Sequence, residues 1–233
     1  MFDAFFHPVD KIKKRCQKTV KMPGFPRNLQ RFYETDLPTE NTLLSDCRLI
    51  ALDFETTGLN FDTDTILSVG GISIEKGGID FSSAFHHLLK NPVAVKKQSA
   101  VVNMITPEQL TRGEDPVDVM NDLMNTLAGS VVITHCGIIE STFLKKALGL
   151  TQEMELPMIF ADTFNIEHKL HRPTGRKNEY SLSEIRKRRN FPAYEAHNAL
   201  WDSIATAELF LAQVKDLFGK NRPRLLEVYR YSH

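Results

Sequence analysis

Apolar positions recur along the chain at two different periods, and the change from one to the other outlines the fold. Arg48 to Glu55, Ile66 to Glu75 and Asp80 to Leu89 are apolar over strand lengths and are separated by turn residues such as Lys76-Gly77-Gly78. They predict three antiparallel strands. From Pro116 the spacing becomes helical, with proline tolerated at the helix start and Val117, Met120, Leu123, Met124 and Leu127 forming an apolar face. Val131 to His135 then predicts a short buried strand and Ile138 to Leu150 a helix. Met158-Ile159-Phe160-Ala161 predicts a last short strand, and Asp162 opens another helix. Ser181-Leu182-Ser183-Glu184 has the character of a capping box, and a long helix runs from the region of Asp202 to about Lys215. Three strands followed by alternating helix and strand favour one α/β domain.

The ends of the chain read differently. Residues 1–46 form a basic appendage, with an amphipathic helix near Val9 to Lys21 and a linker broken by Pro23, Pro26 and Pro38. The main domain is expected over residues 47–217 and a tail over 218–233. With 233 residues, 42% of them hydrophobic, the chain is long enough for a sizeable core. No apolar run is long enough for a membrane span and no leader is visible, so a cytoplasmic protein is expected. Cys16, Cys47 and Cys136 are scattered and lack metal-binding spacing, which fits a reducing compartment and argues against a structural zinc.

Within Leu49-Ile50-Ala51-Leu52-Asp53-Phe54-Glu55-Thr56-Thr57-Gly58-Leu59, both faces of the predicted strand are apolar until the acids appear. Alternation places Asp53 and Glu55 on one face, about 7 Å apart. Burying two like charges there is costly unless a cation lies between them, and oxygen ligands suit Mg²⁺ or Mn²⁺. The alternative is a solvated strand end. Glu140 is the only acid between Val131 and Leu150; it is either a ligand or a first-turn acid complementing the helix dipole. His197 and Asp202 are five residues apart, a rotation of about 140° on a helix. They reach one site most easily if His197 lies in the loop or first turn and Asp202 inside the helix, the alternative being a surface histidine and an ordinary helix acid.

Taken in order, these pieces resemble the histidine-containing branch of the DEDD exonuclease superfamily, the family of the proofreading epsilon subunit of bacterial DNA polymerase III, ribonuclease T and oligoribonuclease. Asp53-Phe54-Glu55-Thr56-Thr57-Gly58-Leu59 is similar to its first motif, His135 through Leu144 to its second, and His197 through Asp202 to its third. The resemblance implies a ribonuclease H-like mixed five-stranded sheet flanked by helices. It also implies a metal-dependent 3′→5′ exonuclease that releases nucleoside 5′-monophosphates from single-stranded or frayed DNA ends. Two Mg²⁺ or Mn²⁺ ions are implied, with Asp53 bridging both, Glu55 and Asp202 completing one, Glu140 supporting the other and His197 acting as the base. The implied substrate contacts are Thr56, Leu59, Asn103 and His135. Two departures stand out: Glu140 where relatives usually carry aspartate, and Asn103 where many have a histidine touching the terminal nucleotide.

Net charge is zero, but its distribution is uneven. Lys11 to Arg31 carries eight cations and no acid, and a second basic group comprises Arg172, Arg176, Lys177, Arg186, Lys187, Arg188 and Arg189. Either group can hold the phosphates of a strand or be a solvated helix face. Single-stranded nucleic-acid 3′ ends are the expected partner, DNA favoured over RNA. Gln213 to Phe218 faintly resembles a sliding-clamp peptide and reads more readily as the end of a core helix, so association with a DNA polymerase or sliding clamp is an open alternative. An exoribonuclease would share this site. A non-catalytic nucleic-acid-binding module on the same fold would be expected to lack one of the five site residues, and all five positions here hold a suitable group.

Overall fold

Alternation along Leu49–Thr56, the first strand (β1), decides the layering of the molecule. A computed structural model describes residues 7–91, 105–171, 175, 179–195 and 197–233. The strands β2 (Ile66–Glu75) and β3 (Gly78–Leu88) continue from β1 as an antiparallel meander, and β4 (Val131–Thr134) and β5 (Ile159–Asp162) add parallel strands on its other side. The order β3-β2-β1-β4-β5 puts β1 at the centre of the expected mixed five-stranded sheet. The helices are α1 (Pro8–Thr19), α2 (Gln30–Tyr33), α3 (Pro107–Thr111), α4 (Pro116–Leu127), α5 (Ile138–Ala147), α6 (Thr163–Leu170), α7 (Leu182–Arg188), α8 (Ala199–Phe218) and α9 (Leu225–Ser232).

Even-numbered residues of β1, Ile50, Leu52 and Phe54, enter a core with Met120, Leu123 and Met124 of α4 and Phe143 and Leu144 of α5. Odd-numbered Leu49 and Ala51 enter a second core on the opposite face, with Ile204, Ala207 and Phe210 of α8 and Val228 of α9. Asp53 and Glu55 continue the odd series, so they emerge on the face covered by α8. Both chain ends feed these cores. Val9, Ile12 and Cys16 of α1 join the α8 face at helical spacing, and Phe25, Leu29 and Phe32 join the other. Glu40, buried, accepts the Val9 N–H at 3.1 Å and so caps the start of α1. No described helix is long and apolar enough to cross a membrane.

Candidate active site

The approach of α8 to the sheet depends on a residue without a side chain. Gly70 of β2 is paired with Asp53, and a Cβ there would lie 2.2 Å from the Ala199 carbonyl carbon and 2.3 Å from the Leu200 nitrogen. The first turn of α8 therefore rests on β2 backbone, which brings Asp202 to Asp53 and Glu55. One carboxylate oxygen from each of these three acids lies within 4.8 Å of the others. Asn198 caps α8, accepting from Leu200 N at 3.1 Å and Trp201 N at 3.2 Å. Asp202 Oδ2 accepts the backbone N–H groups of His197 at 2.8 Å and Asn198 at 3.3 Å. His197 is exposed in the loop before α8, with φ +63°, while Asp202 is inside the helix.

Glu140 arrives from the opposite side. It follows the β4–α5 turn, which Asp162 at the end of β5 holds through its carboxylate: Oδ1 accepts Cys136 N and Oδ2 accepts Gly137 N, both at 3.0 Å. The same Oδ1 caps α6 by accepting Phe164 N at 2.9 Å. The turn is tight, for Cys136 has φ +72° and a Cβ on Gly137 would lie 2.4 Å from Thr134 Oγ1. Glu140 is outside the three-oxygen cluster but close enough for its charge to act on Asp53. It is buried, and its Oε2 has no hydrogen-bond partner among the described residues.

Burial comes first among the causes that raise all four carboxyl pKa values. Asp53 is pushed well up by desolvation and then by the charges of Glu140, Asp202 and Glu55. Glu55 rises to about 8 through burial and Asp202. Burial also raises Asp202, against the pull of the two backbone N–H donors, and raises Glu140, to which Asp162 and Glu55 add repulsion. Oxygen donors, mutual repulsion and an unpaired buried oxygen fit a hard divalent cation. A stability prediction follows. A carboxyl whose pKa is raised by folding contributes stability at low pH that is lost as pH rises through the folded value. In EDTA the thermal midpoint is expected to fall between about pH 5 and 8, and Mg²⁺ or Mn²⁺ at the upper end should restore it. A midpoint flat over that range and unmoved by either ion would remove the cation from this cluster.

The remaining sequence-predicted residues are placed less uniformly. Leu59 is 68% exposed in the turn after β1, and Thr56 Oγ1 donates to the Gly58 carbonyl at 2.8 Å. Buried Asp64 braces that turn by accepting from Thr57 Oγ1 at 2.8 Å and Asn60 N at 2.9 Å. The His135 ring is engaged at both nitrogens, by Thr163 Oγ1 and the Tyr180 carbonyl, each at 2.9 Å. Asn103 lies outside the described residues, as do Arg172, Arg176 and Lys177. Within the second basic group, the expectation of phosphate-binding cations needs correction for Arg186, Arg188 and Arg189. Arg186 is buried and pairs with Glu208; Arg188 and Arg189 share the buried Glu167, and Arg189 also meets Asp216. Gln213 is buried too, its Nε2 donating to the Thr163 carbonyl and to Glu167 Oε2 at 2.9 Å, so the clamp-like segment is the end of α8. Sequence reasoning missed Gly70 and the Arg186–Glu208 pair; the Gly70-Gly71 doublet inside an apolar strand was the available signal for the first.

A mixed sheet with acids converging at the end of its central strand defines a class of nucleases, and comparison with known proteins agrees. The chain belongs to the exonuclease family, whose model matches residues 50–210. It is 28% identical over 181 residues to the PolC-type DNA polymerase III of Thermotoga maritima, a match covering 76% of this chain and 12% of that much longer protein. It is 25% identical over 164 residues to the DNA polymerase III subunit epsilon of Treponema pallidum, covering 70% of this chain and 75% of that one. Among solved structures, Exonuclease X in complex with 5′ overhanging duplex DNA superposes with a TM-score of 0.59 at 20% identity, covering 78% of this chain and 99% of that chain. E. coli Exonuclease I in complex with a dA16 oligonucleotide gives 0.61 at 14% identity, over 79% and 42% of the two chains. These likenesses bear out the ribonuclease H-like fold and the resemblance to epsilon.

Proposed function

We propose that this chain is a divalent-cation-dependent 3′→5′ exonuclease that releases nucleoside 5′-monophosphates from single-stranded or frayed DNA ends. The observation that carries this reading is the convergence of Asp53, Glu55 and Asp202 within 4.8 Å beside a loop bearing His197. Asp53, from the central strand, would be shared between two Mg²⁺ or Mn²⁺ ions, with Glu55 and Asp202 completing one site and Glu140 the other. Bound there, such ions supply Lewis acidity and neutralise charge on both sides of an in-line displacement. His197 removes the proton of the attacking water, a role for which an imidazole is suited near neutral pH. Its exposure leaves the ring open to substrate and solvent. Exposed Leu59 wedges beside the terminal base and the Thr56 backbone holds the terminal nucleotide, contacts that tolerate any base.

DNA is favoured because relatives are named DNA polymerase III PolC-type and DNA polymerase III subunit epsilon, and because the Exonuclease X and Exonuclease I neighbours were solved with DNA. The same similarity supports, as part of this proposal, association with a DNA polymerase and a cytoplasmic location. Product analysis on 5′-labelled and 3′-labelled DNA and RNA oligonucleotides of matched sequence, with Mg²⁺ and Mn²⁺, tests the reading. Mononucleotides are expected from the 3′ end of DNA. Preferential release from RNA would reassign the enzyme as an exoribonuclease, and binding without any product would leave a nucleic-acid-binding module.

A further inference from the structure

We propose that Arg186, Tyr194 and Glu208 form a clasp that positions His197 for proton transfer, an inference that rests on His197 being the base. The three are positioning residues. Arg186 is only 5% exposed, and one face of its guanidinium group lies over the Tyr194 ring at 4.6 Å. Its Nη1 donates to the Ala205 carbonyl of α8 at 3.0 Å and lies 2.7 Å from Glu208 Oε2. Its Nη2 donates to the Pro192 carbonyl at 3.0 Å. One rigid fork thus ties the loop after α7 to the helix that carries Asp202, a geometry an ammonium group does not reproduce. A buried arginine is costly unless its donors and charge are matched, and here carbonyls and a carboxylate do so.

Tyr194 completes the tie. Its hydroxyl donates to Glu208 Oε1 at 2.8 Å, and its ring packs on Trp201 with centroids 5.4 Å apart. His197 follows three residues later, a span of at most about 11 Å. Beyond it, the loop is tied again where Asp202 Oδ2 accepts the His197 and Asn198 N–H groups. The histidine therefore sits between two anchors. Its left-handed backbone, unusual for a residue with a side chain, persists where surrounding contacts over-determine it. A cavity of about 520 Å³ lies beside this clasp, bordered by Arg186, Phe191, Tyr194 and Asp202, so loosening the clasp leaves the loop room to move.

The test is a double-mutant cycle on the full chain. Tyr194→Leu removes both the hydroxyl tie and the ring packed on Arg186 and Trp201 without stranding a buried charge, and Arg186→Lys keeps the charge while losing the fork. Each is expected to lower kcat about 10- to 100-fold, with oligonucleotide KM and Mn²⁺ affinity changed by less than about twofold. The amides of Phe191, Ala193, Tyr194 and Glu195 should exchange faster while those of α8 stay protected. In a His197→Ala background neither substitution should cost more than about threefold further. Equal losses with and without His197, or full turnover in both single variants, would overturn the clasp. A His197→Ala enzyme with near-normal kcat would instead overturn the base assignment, and the clasp with it.

Discussion

EDTA is expected to abolish hydrolysis, and Asp53→Ala to lower kcat by about three orders of magnitude or more while the protein stays folded. The expectation of an intact fold comes from the electrostatics. Asp53 is held well above its ordinary pKa by burial and by Glu140, Asp202 and Glu55, so removing its carboxyl relieves repulsion in the cation-free protein. Its place at the end of the central strand, beside Glu55 and Asp202, puts it at the centre of the carboxylate cluster that would hold the cation. Asp202→Ala should match the activity loss but is a less clean variant, because Oδ2 also holds the His197 and Asn198 N–H groups. Asp202→Asn retains an oxygen acceptor for that loop and loses only the charge. Turnover measured at saturating Mn²⁺, with thermal midpoints recorded alongside, separates these effects. Full activity in EDTA, or in Asp53→Ala, would sink the cation mechanism.

How much of this was legible depended on the distance over which each signal acts. The period of two along Leu49–Thr56 placed Asp53 and Glu55 on one face, and the structure keeps them there because β1 is buried on both sides. Rotation along a helix placed His197 in the loop and Asp202 inside α8, as found. These are local rules. Strand and helix existence followed the same periodicities, with ends shifted by a few residues, as where the helix expected to reach Leu150 stops at Ala147. What failed to show was long-range pairing. Arg186, Lys187, Arg188 and Arg189 read as one basic run, yet the partners of its three arginines, Glu208, Glu167 and Asp216, lie on other helices. Charge alone does not say whether an arginine faces phosphate or carboxylate. Gly70 likewise has meaning only once β2 is registered against Asp53 and α8 is laid over it.

Glu140→Gln is expected to leave almost no turnover while the Asp53, Glu55 and Asp202 cluster still takes up a cation. Glu140 is buried, its pKa is raised chiefly by that burial, and its Oε2 has no hydrogen-bond partner among the described residues. An acid that only complemented the start of α5 would face water rather than the Asp53 carboxylate. The amide keeps the size and one acceptor oxygen but cannot carry the charge a second cation needs. Glu140→Asp is the informative control: it keeps the charge but shortens the side chain by one methylene. In a site where a misplacement of about 1 Å can cost on the order of 100-fold, partial activity is the expected outcome. The turn that sets the reach, held by Asp162 through Cys136 and Gly137, is tight, so backbone movement offers little compensation. Single-turnover release of mononucleotide across Mg²⁺ and Mn²⁺ titrations distinguishes the variants, since a weakened second site should recover with rising cation in Glu140→Asp and fail to recover in Glu140→Gln. Wild-type rates in Glu140→Gln at every cation concentration would make Glu140 a helix-start acid and leave catalysis to the three carboxylates on the α8 face.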